Sequence, residues 1–151
     1  NIFDANGLRA NNKKPVKALL LLASTLIVSN LSFADMAVIV HPDNTSTFNP
    51  EIIKKIFLVK KDKFTNGQVA IPMNAAESMP TFDAFNDKMV GKSRTQINAY
   101  WARLVFTGKA DMPKVLPSDS DIISTVSVNQ GAISYVDSSS VTDKVKVVAN
   151  F

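Results

Sequence analysis

Two hydroxyl side chains, Ser78 and Thr81, stand where a loop is predicted to pass into a helix. The first turn of a helix carries unpaired N–H groups and the positive end of the helix dipole, so polar groups placed there can help to bind an anion. Pro80 has no N–H to donate, and the carboxylate of Glu77 repels an anion. Ser and Thr are also residues that cap helices. Anion binding and helix capping are therefore both open interpretations of this loop.

Other residues with chemical potential have simpler explanations. His41 is the single histidine, and no carboxylate pair lies near it in the sequence, which favours a turn residue over a metal ligand or general base. Asp119 and Asp121 lie at a predicted helix start, where capping and the helix dipole explain them. The chain has no cysteine, so it has no disulfide, thiolate metal site or thiol nucleophile. We predict a protein that is not an enzyme and needs no metal or cofactor.

Four apolar segments predict the strands of the fold. They are rich in Val, Ile and Ala, and they lie at residues 36–40, 69–73, 132–136 and 145–149. The first is apolar throughout, as expected of a strand covered on both faces. Residues 112–120 contain Pro113 and Pro117 and are predicted to be a connector.

Helices are predicted between these strands. Asn49 and Pro50 are the N-cap and first residue of a helix that should end near Lys60. A second helix runs from Thr81 to a stop at Gly91. The third begins at residue 92 or 93 and is amphipathic, and its aromatic residues (Tyr100, Trp101, Phe106) are expected in the core rather than on a stacking platform. A short fourth helix follows a Ser cap at 118 or 120.

The alternation of strands and helices predicts an α/β layer sandwich. Its sheet should be small and mostly parallel or mixed, with helices on both faces. Residues 35–151 are 117 residues, enough for one domain with a modest core, so they are predicted to form one domain.

The N-terminal segment is predicted to be a signal peptide. Lys13, Lys14 and Lys17 precede an apolar run of residues 18–28, and small residues at Ser32 and Ala34 suit cleavage after residue 34. That run is too short for a membrane-spanning helix, which needs about 20 residues. We therefore predict that residues 13–34 are the signal peptide and that residues 1–12 are a leader remnant without function. The cleaved product is predicted to be soluble and periplasmic, with no stable membrane insertion.

The basic character of the chain lies mostly in this leader. The whole chain has 17 basic and 13 acidic residues. Removing four basic residues and one acidic residue with the leader leaves 13 and 12, a net charge of +1. A nucleic-acid partner is therefore not predicted.

Three separated segments carry a family resemblance. They are IFLVK at residues 56–60, YWARLVFTG at 100–108 and GAISYV at 131–136. In this order and spacing they resemble the substrate-binding proteins of phosphate ABC transporters, which show an IFLGK-like helix end, an F-G turn and a GAIGYV strand. The resemblance implies a type II periplasmic-binding-protein-like fold in a short version that has one lobe.

The same resemblance implies where a ligand would bind. The family's loop reads like R-x-x-S-G-T-R-x-x-F, and the segment from Asn74 to Phe85 corresponds to it here. Asn74 stands where an Arg is common, Pro80 where the Gly is expected, and Phe82 where a second basic residue is frequent. Thr81 keeps the hydroxyl position, and Ser78 could supply another. The implied ligand-binding residues are therefore Asn74, Ser78 and Thr81.

Two functions follow from these observations. The first is an exported solute-binding-protein-like domain that binds phosphate or another small oxyanion, as part of phosphate ABC transport or derived from it. The alternative is a non-catalytic interaction or scaffold module of the cell envelope that has lost anion binding. Its partner would be an envelope protein or a second copy of the chain.

Overall fold

The computed structural model describes residues 35–151 of the chain. Within them it contains five strands and four α-helices in one α/β layer structure. The strands are β1 (Met36–Val40), β2 (Ile71–Ala75), β3 (Lys114–Leu116), β4 (Ala132–Asp137) and β5 (Lys146–Asn150). The helices are α1 (Pro50–Phe57), α2 (Pro80–Phe85), α3 (Arg94–Phe106) and α4 (Asp119–Val128). A π-helical segment, Asn86–Val90, continues α2.

The sheet is mixed, as the sequence predicts. Its strand order is β3-β2-β4-β1-β5. Strand β2 runs parallel to both β3 and β4, whereas β1 runs antiparallel to both β4 and β5. In the parallel half, Asn74 lies in β2 itself rather than in the predicted loop, Ser78 lies in the turn that follows, and Thr81 lies in α2.

Both faces of the sheet are covered. All five residues of β1 are inaccessible to solvent, and so are the residues of β4 from Ile133 to Val136. Because successive residues of a strand point to opposite faces, burial without interruption requires cover on both sides. Helices α2 and α4 both pack against β4. The prediction of helices on both faces is confirmed.

Strand β3 lies in the segment that was predicted to be a connector, so that prediction is wrong. The strand has only three residues, Lys114 and Val115 in it are exposed, and it pairs with β2 at the edge of the sheet. A short edge strand between two prolines has neither the length nor the apolar run that identifies a strand in a sequence.

The helix starts agree with the predicted caps. The side chain of Asn49 accepts a hydrogen bond of 2.8 Å from the N–H of Ile52, and Pro50 opens α1. Ser93 and Gln96 form a reciprocal capping box at the start of α3. Ser118 caps α4 through the N–H of Asp121. Each cap satisfies an N–H that the helix itself leaves unpaired.

Two helices end in the same hydrogen-bonded motif with different residues. At the end of α1, the N–H of Val59 bonds to Ile56 and that of Lys60 bonds to Lys55. At the end of α3, Gly108 bonds to Val105 and Lys109 bonds to Leu104 in the same pattern. This Schellman motif places one residue in the left-handed region, usually glycine.

That left-handed residue is Gly108 in one motif and Val59 in the other, with φ angles of 69° and 50°. A β-branched residue is strained in this region. Val59 also occupies the place of the glycine in the IFLGK pattern.

The three family-like segments meet in the core. Tyr135 of β4 stacks on Phe85 with a centroid separation of 3.8 Å, and Phe57 packs against both rings. The hydroxyl of Tyr100 donates to the carbonyl of Leu58, which joins α3 to the end of α1. These segments therefore support the fold by direct contact.

The predicted burial of the aromatic residues of α3 holds only in part. Trp101 is buried and Tyr100 is half-buried, but Phe106 is 93% exposed. The apolar spacing continues to the end of the helix, whereas the core beneath it stops earlier.

The predicted leader, residues 1–12 and 13–34, lies outside the described residues. Within residues 35–151, no helix combines the length and apolar character needed to cross a bilayer.

Candidate functional site

A small cleft opens at the carboxyl end of β2. Its volume is about 60 Å³, enough for a few water molecules. It lies between the end of β2, helix α3 and the approach to β3. Ligands of open α/β sheets commonly bind beyond the carboxyl ends of strands. The lining residues are Asn74, Ala75, Glu77, Phe82, Ile97, Asn98, Trp101, Met112, Pro113 and Val115.

Asn74 presents an oriented amide to this cleft. The backbone N–H of Ala75 donates to the hydroxyl oxygen of Tyr135 at 3.2 Å, and that hydroxyl lies 3.2 Å from Oδ1 of Asn74. Because Ala75 can only donate, the Tyr135 hydroxyl gives its own proton to Asn74. The carbonyl side of the Asn74 amide is thus engaged, which leaves the NH₂ group to donate to a ligand.

Tyr135 is fixed firmly enough to orient that amide. Its side chain is inaccessible to solvent and its ring lies within 4° of parallel to that of Phe85. Burial raises the pKa of the Tyr135 hydroxyl well above its usual value, because an ionised phenolate would lose its hydration. The hydroxyl therefore remains a proton donor throughout the neutral range.

Ser78 and Thr81 are placed differently from each other. Ser78 lies exposed in the turn before α2, whereas Thr81 is only 4% exposed. The N-cap position of α2 belongs to Met79, and no side chain in the described part of the chain caps the helix. The interpretation of Ser78 and Thr81 as helix caps is therefore wrong, because neither hydroxyl reaches the first N–H groups of the helix.

The hydroxyl of Thr81 has no hydrogen-bond partner among the described residues, although it is shut off from solvent. A buried polar group without a partner costs about 1 to 3 kcal/mol. The structure thus puts Asn74 in the cleft, Ser78 exposed in the turn before α2, and Thr81 buried within the first turn of α2. A ligand that contacts all three requires that first turn to move.

Arg94, at the start of α3, is a component of this region that the sequence did not indicate. Its guanidinium forms two hydrogen bonds with the carboxylate of Asp83, from Nε at 2.9 Å and from Nη2 at 3.0 Å. Nη2 also donates to the backbone carbonyl of Glu77 at 2.6 Å. Residues 83 and 94 lie on different helices, so no helical periodicity connects them in the sequence. Arg94 ties the start of α3 to the loop before α2.

The remaining candidates serve the fold. His41 accepts a hydrogen bond from the N–H of Asp43 within a turn, as predicted. Asp119 accepts from the N–H of Asp137 and from the hydroxyl of Ser140, which joins α4 to the end of β4. Hydrogen bonds from Ser139 lower the pKa of the Asp137 carboxyl.

Solved structures share this fold over about three quarters of the chain. A protein from Clostridium perfringens, described as a phosphate ABC transporter substrate-binding protein and solved with bound phosphate, matches with a TM-score of 0.61 and 22% identity. The match covers 76% of this chain and 45% of that one. The fold is periplasmic-binding-protein-like.

Two further structures agree with this assignment. An ABC-type phosphate transport receptor from Vibrio cholerae matches with a TM-score of 0.59 and 18% identity, over 76% of this chain and 46% of its own. PstS from Borrelia burgdorferi matches with a TM-score of 0.55 and 14% identity, over 77% and 47%. The chain therefore spans less than half the length of the proteins that it matches, and the likeness is one of fold.

No protein-family model matches the chain, and no curated protein sequence matches it. The predicted periplasmic-binding-protein-like architecture is confirmed by the structural matches.

Proposed function

We propose that this chain is an exported periplasmic-binding-protein-like domain that binds a small oxyanion at the carboxyl end of β2. The main support is the position of the Asn74 amide in the cleft. Tyr135 binds the oxygen of this amide, which leaves the NH₂ group of Asn74 available to a ligand. Ser78, exposed in the turn before α2, would add a hydroxyl donor, and Thr81 would add a second once the first turn of α2 moves. The bound phosphate in the Clostridium perfringens structure supports an oxyanion as the ligand class.

Glu77 narrows the choice of oxyanion. Glu77 lines the same cleft, and its ionised carboxylate can only accept hydrogen bonds. An oxyanion that keeps a proton, such as hydrogen phosphate, can donate to Glu77, whereas sulfate cannot. We therefore expect hydrogen phosphate to bind more tightly than sulfate.

Thermal unfolding in the presence of anions tests this proposal. A ligand that binds only the folded state raises the melting temperature with its concentration. Phosphate should do so for the wild-type protein and less for Asn74→Ala, which removes the oriented donor. Asn150→Ala, exposed at the end of β5, is the matched control and should respond like the wild type. Equal shifts in all three proteins would count against a site at Asn74.

Export is the second component of the proposal, and it rests on the predicted leader. Its test is the N-terminus of the protein recovered from the periplasm of a bacterial host. We expect a chain that starts at Asp35, whereas an uncleaved chain in the cytoplasm would contradict export.

An interaction module is the second candidate, and exposed apolar residues at the cleft and at the end of α3 favour it. Met112 and Val115 at its mouth are 59% and 52% exposed, and Phe106 at the end of α3 is nearly fully exposed. An envelope protein or a second copy of the chain could cover such residues. Sedimentation of the purified protein at rising concentration tests the second copy. This function would be favoured if the wild type forms dimers that Phe106→Ser does not form. It would also require that no anion raises the melting temperature of the wild type.

A further inference from the structure

The ion pair between Arg94 and Asp83 has the geometry of an anion-binding fork. Two nearly parallel N–H groups of the guanidinium meet the two oxygens of one carboxylate, at 2.9 and 3.0 Å. Arg binds phosphate oxygens with the same fork. The pair is accessible, because the side chains of Arg94 and Asp83 are 45% and 50% exposed.

This fork lies beside the proposed site. Arg94 bonds to the carbonyl of Glu77, and its guanidinium carbon lies 5.6 Å from the ring centre of Phe82. Glu77 and Phe82 both line the cleft. Within residues 35–151, the hydrogen bonds of Arg94 use Nε and Nη2, which leaves Nη1 available to a ligand.

We propose that Arg94 is the cationic contact of the oxyanion site and that Asp83 occupies the place of the anion on the Arg94 fork until a ligand binds. This inference rests on the proposed function. A carboxylate and a hydrogen phosphate each offer a pair of acceptor oxygens, so the second can replace the first without a change in the fork. The released Asp83 carboxylate is half exposed, and water solvates it.

The local charges predict the direction in which the affinity for an anion changes when Asp83 is replaced. Glu77 and Asp83 are acidic and Arg94 is basic, so these three groups carry a net charge of −1, which opposes an incoming anion. Asp83→Asn removes one negative charge and frees the fork, so it should strengthen anion binding. A purely structural role for the ion pair predicts the reverse, because its loss would loosen the loop before α2.

Calorimetric titration with inorganic phosphate separates these outcomes. We expect Asp83→Asn to bind about tenfold more tightly than the wild type and Arg94→Gln about tenfold more weakly, which is the effect of one charge-assisted hydrogen bond. Arg94→Lys keeps the charge without the fork and should lie between the wild type and Arg94→Gln. Glu51→Gln breaks a surface pair with Lys55 on α1 and is the control, with unchanged affinity.

The results that overturn the inference differ from those that overturn the proposed function. Unchanged or weaker binding by Asp83→Asn, while the wild type binds phosphate, rejects the role of Asp83 and leaves the proposed function in place. Two double variants separate the roles of Arg94 and Asn74. If Asp83→Asn binds phosphate but the double variant Asp83→Asn/Arg94→Gln does not, the role of Arg94 is supported. If the double variant Asp83→Asn/Asn74→Ala still binds phosphate as tightly as Asp83→Asn, the role of Asn74 is rejected. Absence of binding by both the wild type and Asp83→Asn rejects both proposals.

Discussion

At the scale of single residues, the candidate site combines one oriented donor with one buried hydroxyl. Asn74 is held by Tyr135, which in turn is held by the stacked ring of Phe85. The Thr81 hydroxyl has no such partner within residues 35–151. The resemblance to a known family indicated Asn74 and Thr81 as ligand residues, but it did not indicate Tyr135, because that contact joins residues 61 positions apart.

Thr81→Val should affect stability and binding in opposite directions. Valine has nearly the shape of threonine without its hydroxyl, so it removes an unpartnered buried polar group. We expect a free energy of unfolding higher by about 1 kcal/mol and a weaker affinity for phosphate. Urea denaturation and calorimetry measure the two quantities. A loss of stability would show that the hydroxyl has a partner within the folded domain.

Tyr135 should make the domain sensitive to alkali. The pKa of its hydroxyl is raised in the folded state, so above about pH 10, the usual pKa of tyrosine, the unfolded chain loses a proton that the folded chain keeps. Its contribution to stability is therefore complete below pH 10 and falls by about 1.4 kcal/mol for each further pH unit.

The variant Tyr135→Phe removes this dependence. It should be less stable than the wild type at neutral pH, because Ala75 and Asn74 lose their partner. The difference in unfolding free energy should narrow as the pH rises from 9 to 11, as measured by urea denaturation at each pH. A constant difference would contradict the raised pKa.

At the scale of helices and strands, the sequence predicts the buried strand and the helix caps, but not the features at the edge of the sheet and the end of the core. The strand at residues 36–40 and the helix caps at Asn49 and Ser118 follow from local patterns, and the structure contains them. Strand β3 and the exposed position of Phe106 depend on where the sheet and core end. Those limits are set by tertiary contacts, which no local pattern records.

The end of α1 provides a test of helix termination. Val59 is left-handed at a position that suits glycine, so Val59→Gly should raise the free energy of unfolding by about 1 kcal/mol after the entropy of glycine is counted. Gly108→Val at the matching position of α3 should lower it by a similar or larger amount. No atom of residues 35–151 would lie within 4 Å of a Cβ at Gly108, so that loss would come from the backbone alone.

Urea denaturation of the two variants measures both changes. Destabilisation by Val59→Gly would mean that the contacts of the valine side chain, which is 40% exposed, outweigh the strain of its backbone.

At the scale of the whole molecule, the residues that support the fold differ from those that would bind a ligand. The segments IFLVK, YWARLVFTG and GAISYV meet in the core through Tyr100, Phe57 and Tyr135, so their resemblance to a family reports the architecture. The segment that would bind the ligand, from the end of β2 into α2, departs from the family pattern at Asn74, Pro80 and Phe82. Arg94 brings a cation to the ring of Phe82 from another helix. A fold can persist while its site is rebuilt.

Calorimetric titration with inorganic phosphate, repeated with Asn74→Ala, decides whether the cleft at the end of β2 binds an oxyanion. The proposed site predicts saturable binding of one phosphate by the wild type, with an affinity that falls about tenfold when the oriented amide is removed. Wild-type protein that shows no heat of binding, or Asn74→Ala that binds phosphate as tightly as the wild type, would contradict it.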